Sequence, residues 1–283
     1  MMDWTLLLLP GLIWGASFLF IAEGLEALAP NGVTFLRFVF GFLTLSLVPG
    51  ARQPVRKSDR AGVAWLGVLW MAFPMSMFPF AEQHVSSALT GMLNGALPII
   101  ATFVAAVLAR TMPARLVLVG LAVGFADTGL MAVPAFGSGV SSKAWAVLLI
   151  LLALVSYGVA LSIARPLQQR NGALAVVWRA QAVALLLTAP LGVPAVLNAH
   201  WNWRSVLAIV ALGCLGTAVA SVVMAVASGK LGATRASATS FLIPVVSLLL
   251  GVAVRHETVP SIAITGVALC LTGAGLMRWG ARV

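Results

Sequence analysis

Two stretches of the sequence repeat one another. Residues 81–131 and 227–277 align without a gap at an offset of 146 positions, which places Pro98 opposite Pro244. Earlier segments continue the match at slightly smaller offsets. The chain is therefore a duplicated unit, and its fold has to accommodate two similar halves.

Composition places both halves in a lipid bilayer. Hydrophobic residues make up 61% of the chain and charged residues 8%, whereas a soluble domain carries about a quarter of its residues as charged side chains. A membrane-spanning helix needs roughly 20 apolar residues, and the long apolar runs exclude the short alternating strands of a membrane barrel. The runs predict ten transmembrane helices, at residues 4–24, 31–50, 61–82, 86–109, 113–134, 143–164, 172–196, 204–228, 234–254 and 260–280.

The number of helices has a topological consequence. Ten helices divided between two copies leave five in each, so the second copy enters the membrane inverted relative to the first. We therefore predict an all-α integral membrane protein, with one five-helix repeat at residues 1–135 and an inverted repeat at residues 136–283. Inverted repeats are typical of transporters, whose substrate sites form near the midplane where the repeats meet.

Basic residues indicate the orientation of the chain. The formal net charge is +10, but the Lys and Arg side chains are spread over loops rather than gathered on one face, which argues against a nucleic-acid partner. With the N-terminus in the cytoplasm, twelve of the 17 basic residues fall on the cytoplasmic side and three on the opposite side. The positive-inside rule then predicts that both termini are cytoplasmic.

Pro98 and Pro244 lie in the middle of the fourth and ninth predicted helices. Each removes a backbone donor and frees the carbonyl four residues earlier, which belongs to Asn94 in one copy and Ser240 in the other. Freed carbonyls beside polar side chains resemble the broken-helix binding sites of transporters. A kink relieved by helix packing explains the same prolines equally well.

Corresponding faces of the third and eighth predicted helices carry different chemistry. The eighth helix has hydroxyl and thioether groups at helical spacing, and the offset of 146 maps them onto thioether, aromatic and acidic groups in the third. Flexible thioethers and aromatic rings suit an adaptable pocket, so we favour a substrate cavity over helix packing through small polar residues. The two stripes are Thr217, Ser221, Met224 and Ser228, and Met71, Met75, Phe78 and Glu82.

Trp14 and Tyr157 occupy corresponding positions in the first helix of each copy. Both lie well inside their predicted spans, which separates them from the aromatic belt at the membrane surface. If they line a cavity, either ring can stack on a substrate or cover an ammonium group. Packing against neighbouring helices is the alternative.

Arg37 and Asp127 lie at similar depths in the second and fifth predicted helices. Because an unpaired charge in hydrocarbon is costly, we predict that they form a buried ion pair within the first copy. A structural clamp is the favoured role of this pair, and substrate or proton handling comes second.

Acidic and histidine residues occur together at two outer helix ends. Glu82 is followed by His84, and Glu257 is preceded by His256. Because histidine titrates near neutral pH, we take Glu82, His84 and Glu257 as candidates for proton coupling. The alternative, which the sequence favours, is that they are solvated loop residues.

The sequence resembles the EamA-type members of the drug/metabolite transporter superfamily over nearly its whole length. The resemblance is carried by IWGASF around Trp14, by LRF around Arg37, and by ATRASATSFLIPVVSLLLGVAVRHETVPSIAITGVALCLTGAGL with its Pro244 and Glu257. Within the family it is most similar to the YddG-type exporters of amino acids and aromatic metabolites. Thr111 departs from the symmetric pattern because it stands opposite Glu257, which argues against a role for paired carboxylates.

The resemblance implies a multi-pass carrier of the bacterial inner membrane that exports small metabolites, most of all amino acids, by alternating access. We expect a small-molecule substrate, no cofactor, no metal, no catalytic residue, and a monomer or weak dimer in the lipid bilayer. The predicted cavity lining consists of Trp14, Met75, Phe78, Asn94, Tyr157, Ser221, Met224 and Ser240.

The sequence is also compatible with two other functions. A proton-coupled exporter of drugs or organic cations needs a membrane-embedded carboxylate, and Asp127 is the acid predicted at mid-depth. An intramembrane enzyme is the remote alternative, because all three histidines lie at helix ends, away from a buried nucleophile such as Ser17. No GxxxxGK[ST] loop occurs, which argues against ATP as the direct energy source.

Overall fold

A computed structural model describes residues 4–112, 140–231 and 242–259, together with Val119, Thr239, Ser240 and Thr265. All regular secondary structure in these residues is helical. In the first half it consists of α1 (Trp4–Leu25), α2 (Pro30–Ser46), α3 (Arg60–Leu66 and Phe73–Glu82, joined by a π-helical segment at Gly67–Ala72), α4 (Ser87–Asn94) and α5 (Leu97–Ala109). In the second half it consists of α6 (Val140–Asn171), α7 (Ala173–Leu197), α8 (Trp203–Ala211 and Ala220–Leu231, joined by a π-helical segment at Leu212–Val219) and α9 (Leu242–Arg255).

The described helices agree with a multi-pass membrane protein. Five of them are long and apolar enough to cross a bilayer, and the bent pair of α4 and α5 makes a sixth crossing if it counts as one span. Apart from Val119 and Thr265, the predicted spans 113–134 and 260–280 lie outside the described residues. The total of ten helices, the domain boundaries and the orientation of the termini therefore stay predictions.

The fourth predicted helix, residues 86–109, is broken rather than continuous. α4 ends at Asn94, α5 begins at Leu97, and the two helices are bent by 40°. Pro98 lies in the first turn of α5, where its missing N–H costs no intrahelical hydrogen bond. Pro244 lies two residues after Leu242, the first described residue of α9. Pro98 therefore lies at the start of the helix that follows the bend, and the roles of both prolines as helix kinks stay predictions.

Helices from the two halves pack in matched pairs. α1 packs against α8 and α9, while α6 packs against α3 and α5, which are their counterparts in the first half. α2 and α7 pack against each other, and each also packs against the π-helical segment of the opposite half.

The two π-helical segments occupy corresponding positions, since the offset of 146 pairs Gly67 with Gly213. A Cβ added to Gly67 would lie 2.6 Å from Val183 Cβ on α7, and one added to Gly213 would lie 2.5 Å from Phe40 Cβ on α2. Both distances are too short for a carbon contact. Glycine is therefore required where the backbone of each π-helical segment approaches the neighbouring helix.

Candidate functional site

Phe78 forms the centre of an aromatic cluster that joins α1, α3 and α6. Its side chain is 3% exposed, its ring meets Phe18 edge-to-face at 5.6 Å between centroids, and it stacks with Tyr157 at 6.1 Å. These separations lie in the range in which aromatic pairs attract each other beyond simple burial. Among the predicted cavity residues, Phe78 and Tyr157 are thus brought into contact.

Trp14 of α1 binds the backbone of α8. Its Nε1–H donates to the Gly216 carbonyl at 3.0 Å. Gly216 lies in the π-helical segment, where hydrogen bonds run five residues along the chain instead of four and the usual pairing of carbonyls is displaced. The indole N–H therefore anchors α1 to α8, and the stacking role of the Trp14 ring stays a prediction.

We expect Trp14→Phe to lower the free energy of unfolding by about 1 kcal/mol, because one hydrogen bond is lost while most of the aromatic surface is kept. Transport should be retained, since a ring able to stack on a substrate is still present. Thermal unfolding in detergent measures the first effect and uptake into liposomes the second. Unchanged stability would show that the contact with Gly216 contributes nothing.

Arg37 is buried where α2, α7 and α8 meet. Its Nε–H donates to the Thr217 hydroxyl at 3.3 Å, and the Gln181 side-chain amide donates to the Thr217 carbonyl at 3.3 Å. Asp127, its predicted partner, lies outside the described residues, so the ion pair stays a prediction. Sequence reasoning missed Gln181, although an amide within the apolar run of α7 is a signal that could have identified it.

The other predicted lining residues occupy separate places. Asn94 is buried at the end of α4, and Ser240 is half-buried shortly before α9. Ser221 donates to a backbone carbonyl of its own helix at 2.7 Å, and Met75 and Met224 are half-buried on α3 and α8. These contacts neither unite the set nor assign it a role, and a common cavity stays a prediction.

Cavities of about 260 Å³ lie at two places among the residues that the structure describes. The first lies between α2, α3 and α7, beside exposed apolar residues such as Leu187 and Leu191. The second, here called the outer cavity, lies at the ends of α1, α3 and α9 that the charge pattern places opposite the cytoplasm. The outer cavity is lined by Ala22, Leu25, Glu26, Glu82, Gln83 and Arg255. Neither of these cavities is lined by any of the eight predicted residues.

Arg255 ties α1 to α9 beside the outer cavity. Its Nη1 lies 2.6 Å from Glu23 Oε1, its Nη2 lies 2.9 Å from Glu26 Oε1, and its Nε lies 3.7 Å from Glu257 Oε1. One guanidinium thus holds three carboxylates from two different halves of the chain. Among the described residues, no group of three or more His, Cys, Asp or Glu side chains is arranged to hold a metal ion.

Glu257 caps the start of α4. Its Oε1 accepts from the Ser87 N–H at 3.0 Å and the Ser87 hydroxyl at 2.8 Å, and its Oε2 accepts from the Ala88 N–H at 2.9 Å. A carboxylate is favoured at a helix N-terminus because the first amides are unpaired and the helix dipole is positive there. His256, at a positive φ of 53°, turns the chain back after α9, and Gly251 leaves room for the carboxylate. Glu257 is therefore not a solvated loop residue.

Glu82 differs from every other described carboxylate. Both of its oxygens are buried, and neither has a hydrogen-bond partner among the residues that the structure describes. Its charged neighbours are Arg37, Arg255 and Glu257, which interact with it electrostatically. His84, two residues further along, is exposed. The solvated-loop interpretation therefore fits His84 and is wrong for Glu82.

Another ion pair lies at the opposite end of the bundle, which the charge pattern assigns to the cytoplasm. Asp59, just before α3, accepts two hydrogen bonds from Arg170 near the end of α6, at 2.9 and 3.2 Å, and one from Asn171 at 2.7 Å. In the other half, the Ser205 hydroxyl near the start of α8 donates to the Glu23 carbonyl near the end of α1 at 2.6 Å. Asp59 and Ser205 are separated by the repeat offset of 146, so corresponding positions link corresponding helices at the two ends.

Comparison with known proteins gives the family. The model of the EamA-like transporter family matches residues 3–132 and 144–279. The chain is 26% identical over 277 residues to a protein of Streptantibioticus cattleyicolor named "Probable terminal-alkyne amino-acid exporter", covering 96% of this chain and 92% of that protein. It is 20% identical over 273 residues to an "Uncharacterized transporter" of Archaeoglobus fulgidus, covering 96% and 97%.

The fold also has a counterpart among solved structures. Among the solved structures that match is a crystal structure with a TM-score of 0.64 at 20% identity, covering 96% of this chain and 95% of that chain. At that identity the match concerns the fold alone, whereas the family model spans nearly all of both halves. The chain therefore belongs to the EamA-like transporter family of the drug/metabolite transporter superfamily, and the resemblance of its sequence to that family is confirmed.

Proposed function

We propose that the chain is a secondary carrier that exports amino acids across a bacterial inner membrane by alternating access. In such a carrier, two inverted five-helix halves would each have contacts between their helix ends, and these contacts would close the transport path alternately at the two membrane surfaces. The observation that carries this proposal is the pair of salt bridges that join Arg255 of α9 to Glu23 of α1 and to Glu26 just after it, at the outer end. Partly exposed ion pairs are weak enough to break and re-form during a transport cycle.

Amino acids are the proposed substrates for two reasons. The Streptantibioticus cattleyicolor relative carries the name of an amino-acid exporter. In this chain, the buried Arg37 lies on α2, which packs against α3, the helix that carries Phe78. Arg37 interacts electrostatically with Tyr157, whose ring stacks with that of Phe78. Arginine suits a carboxylate, and aromatic rings suit apolar or aromatic side chains.

Reconstitution tests the proposal. The purified chain in liposomes should take up at least one labelled apolar or aromatic amino acid with saturable kinetics, and protein-free liposomes should not. Arg37→Gln should raise the KM for that amino acid, because the predicted contact with its carboxylate is lost. Failure of every amino acid to enter would contradict the substrate assignment and leave the carrier fold in place.

Export of organic cations is the second candidate. Glu82 favours it, because a buried carboxylate without a hydrogen-bond partner is a suitable counter-ion for a cation. The same liposomes, offered a labelled quaternary ammonium compound, separate the two functions. Saturable uptake of that compound without uptake of any amino acid would favour drug export.

Of the three residues predicted as candidates for proton coupling, two are less suitable than the third. Glu257 is used as a helix cap, and His84 is exposed at the surface. Glu82 combines burial with the absence of a hydrogen-bond partner among the described residues. We therefore retain Glu82 as the candidate group for proton binding.

A further inference from the structure

We propose that Glu82 is a proton-binding site that controls the outer end of the carrier, which closes only when this carboxyl group is protonated. The inference rests on the proposed function in one respect, namely that the outer end opens and closes. The proton comes from water on the outer side, binds a Glu82 carboxylate oxygen with formation of an O–H bond, and returns to that water when the end opens.

The proposal depends first on how the helix ends are held together at the outer end. Arg255 holds the ends of α1 and α9 together, and Glu257 holds the start of α4. Glu82 lies behind this contact on α3, with both carboxylate oxygens buried. A carboxylate that loses water and gains no hydrogen bond is so unfavourable that such groups normally become neutral. Closing the outer end around an ionised Glu82 is therefore strongly opposed.

The charged neighbours do not remove this cost. Arg255 is already engaged by three carboxylates, and Arg37 on α2 directs its Nε–H to Thr217. Among the residues that the structure describes, the other titratable groups that face this region are Glu23 and Glu26 on the α1 side, Glu257 after α9 and Tyr157 on α6. Within this described set, an ionised Glu82 gives four carboxylates for two guanidinium groups, and protonation of Glu82 lowers the excess of negative charge by one.

A route for the proton is present. The outer cavity borders Glu82 and is also lined by Glu26 and Gln83, which lie near the surface. Separation of α1 from α9 would widen this cavity and hydrate the carboxylate. Hydration favours the ionised form, so alkaline solution should stabilise the open state and acidic solution the closed state.

The sign of the pH effect separates Glu82 from the ion pairs beside it. Protonation of Glu23 or Glu26 would break their contacts with Arg255 and open the outer end in acid. Protonation of Glu82 closes it in acid. A measurement of opening against pH therefore distinguishes the two origins directly.

Spin-label distances provide that measurement without any substrate. Nitroxide labels are attached at Ala29→Cys, just after α1, and Thr258→Cys, just after α9, both exposed positions, in the full chain with Cys214→Ala and Cys270→Ala. In lipid nanodiscs, the ratio of long to short distances should rise with pH by up to about tenfold per pH unit, the limit for one proton. Glu82→Gln should hold the short distance at every pH, because its side chain is always neutral.

Two further variants complete the test. Glu82→Met, neutral and of similar length, should also hold the short distance, which guards against a folding defect peculiar to the glutamine variant. His84→Gln removes an exposed titratable group two residues away and should keep the full pH response. A pH response that persists in both Glu82 variants, a flat response with Glu82 present, or opening in acid would overturn the proposal. Transport in liposomes is measured separately, so failure here is distinguishable from failure of the proposed function.

Discussion

Arg255→Ala is expected to reduce transport at least about tenfold, the effect of a change of about 1.4 kcal/mol in the balance between closed and open outer ends. Hydrogen bonds to charged groups contribute about 1.5–3 kcal/mol, and less where solvent reaches them. Glu23 is 22% exposed and Glu26 is 57% exposed, so we assign the larger share to Glu23. Without the guanidinium, the carboxylates that it joins repel one another and hold the outer end open.

Two controls accompany this variant. Arg204→Ala removes an exposed arginine that the charge pattern places on the same side and whose guanidinium lies 5.6 Å from the Trp203 ring, so transport should stay near the wild-type rate. Arg255→Lys keeps the charge but cannot contact two carboxylates in the planar geometry of a guanidinium, so its rate should be intermediate. Initial rates of uptake into liposomes measure all three. A wild-type rate for Arg255→Ala would show that these ion pairs do not close the transport path.

Glu257→Ala is expected to cost about 2–3 kcal/mol of stability, because the start of α4 loses its carboxylate cap. The Ser87 and Ala88 amides then face a poorly hydrated region without an acceptor. The break between α4 and α5 isolates α4 as a helix of eight residues, too short to be stable without its cap and its packing. The variant should therefore unfold at lower temperature and exchange its α4 amides faster.

Matched variants separate the cap from the charge. Glu257→Gln keeps one acceptor oxygen for Ser87 and should lose about half as much stability as Glu257→Ala. Glu26→Gln removes a carboxylate from the same end of the bundle, where its ion pair is largely exposed, and should cost less than about 1 kcal/mol. Thermal unfolding in detergent and hydrogen exchange of Ser87 and Ala88 measure these effects. Equal losses for Glu257→Ala and Glu26→Gln would contradict the capping role.

Features set by regular periodicity could be predicted from the sequence. Long apolar runs predict the membrane-spanning helices that the structure describes, because backbone N–H and C=O groups in hydrocarbon have to form hydrogen bonds within the protein. The repeat offset likewise anticipates that Gly67 and Gly213 occupy corresponding places. The sequence placed Pro98 in the middle of a helix rather than at the start of one, because the two positions look alike in a single sequence.

Contacts between distant residues could not be predicted in the same way. Glu257 and Ser87 are 170 positions apart, and only the folded chain shows that a carboxylate after α9 caps α4. Glu82 was identified as a candidate for proton coupling but interpreted as a solvated residue. Whether a residue at this helix end is buried depends on how α1 and α9 pack against it, which a single sequence does not show. Arg255 was missed although its counterpart Ala109 is uncharged, a difference between the copies that marks it as unusual.

Counterflow tests the central claim, that the chain is an amino-acid carrier with alternating access, most directly. Liposomes containing the purified chain are loaded with an unlabelled amino acid and diluted into a trace of the same labelled compound at equal pH on both sides. A carrier that alternates predicts transient accumulation of label above its external concentration, driven by exchange with the internal pool. Labelled amino acid that only equilibrates, at a rate independent of the internal pool, would contradict the account.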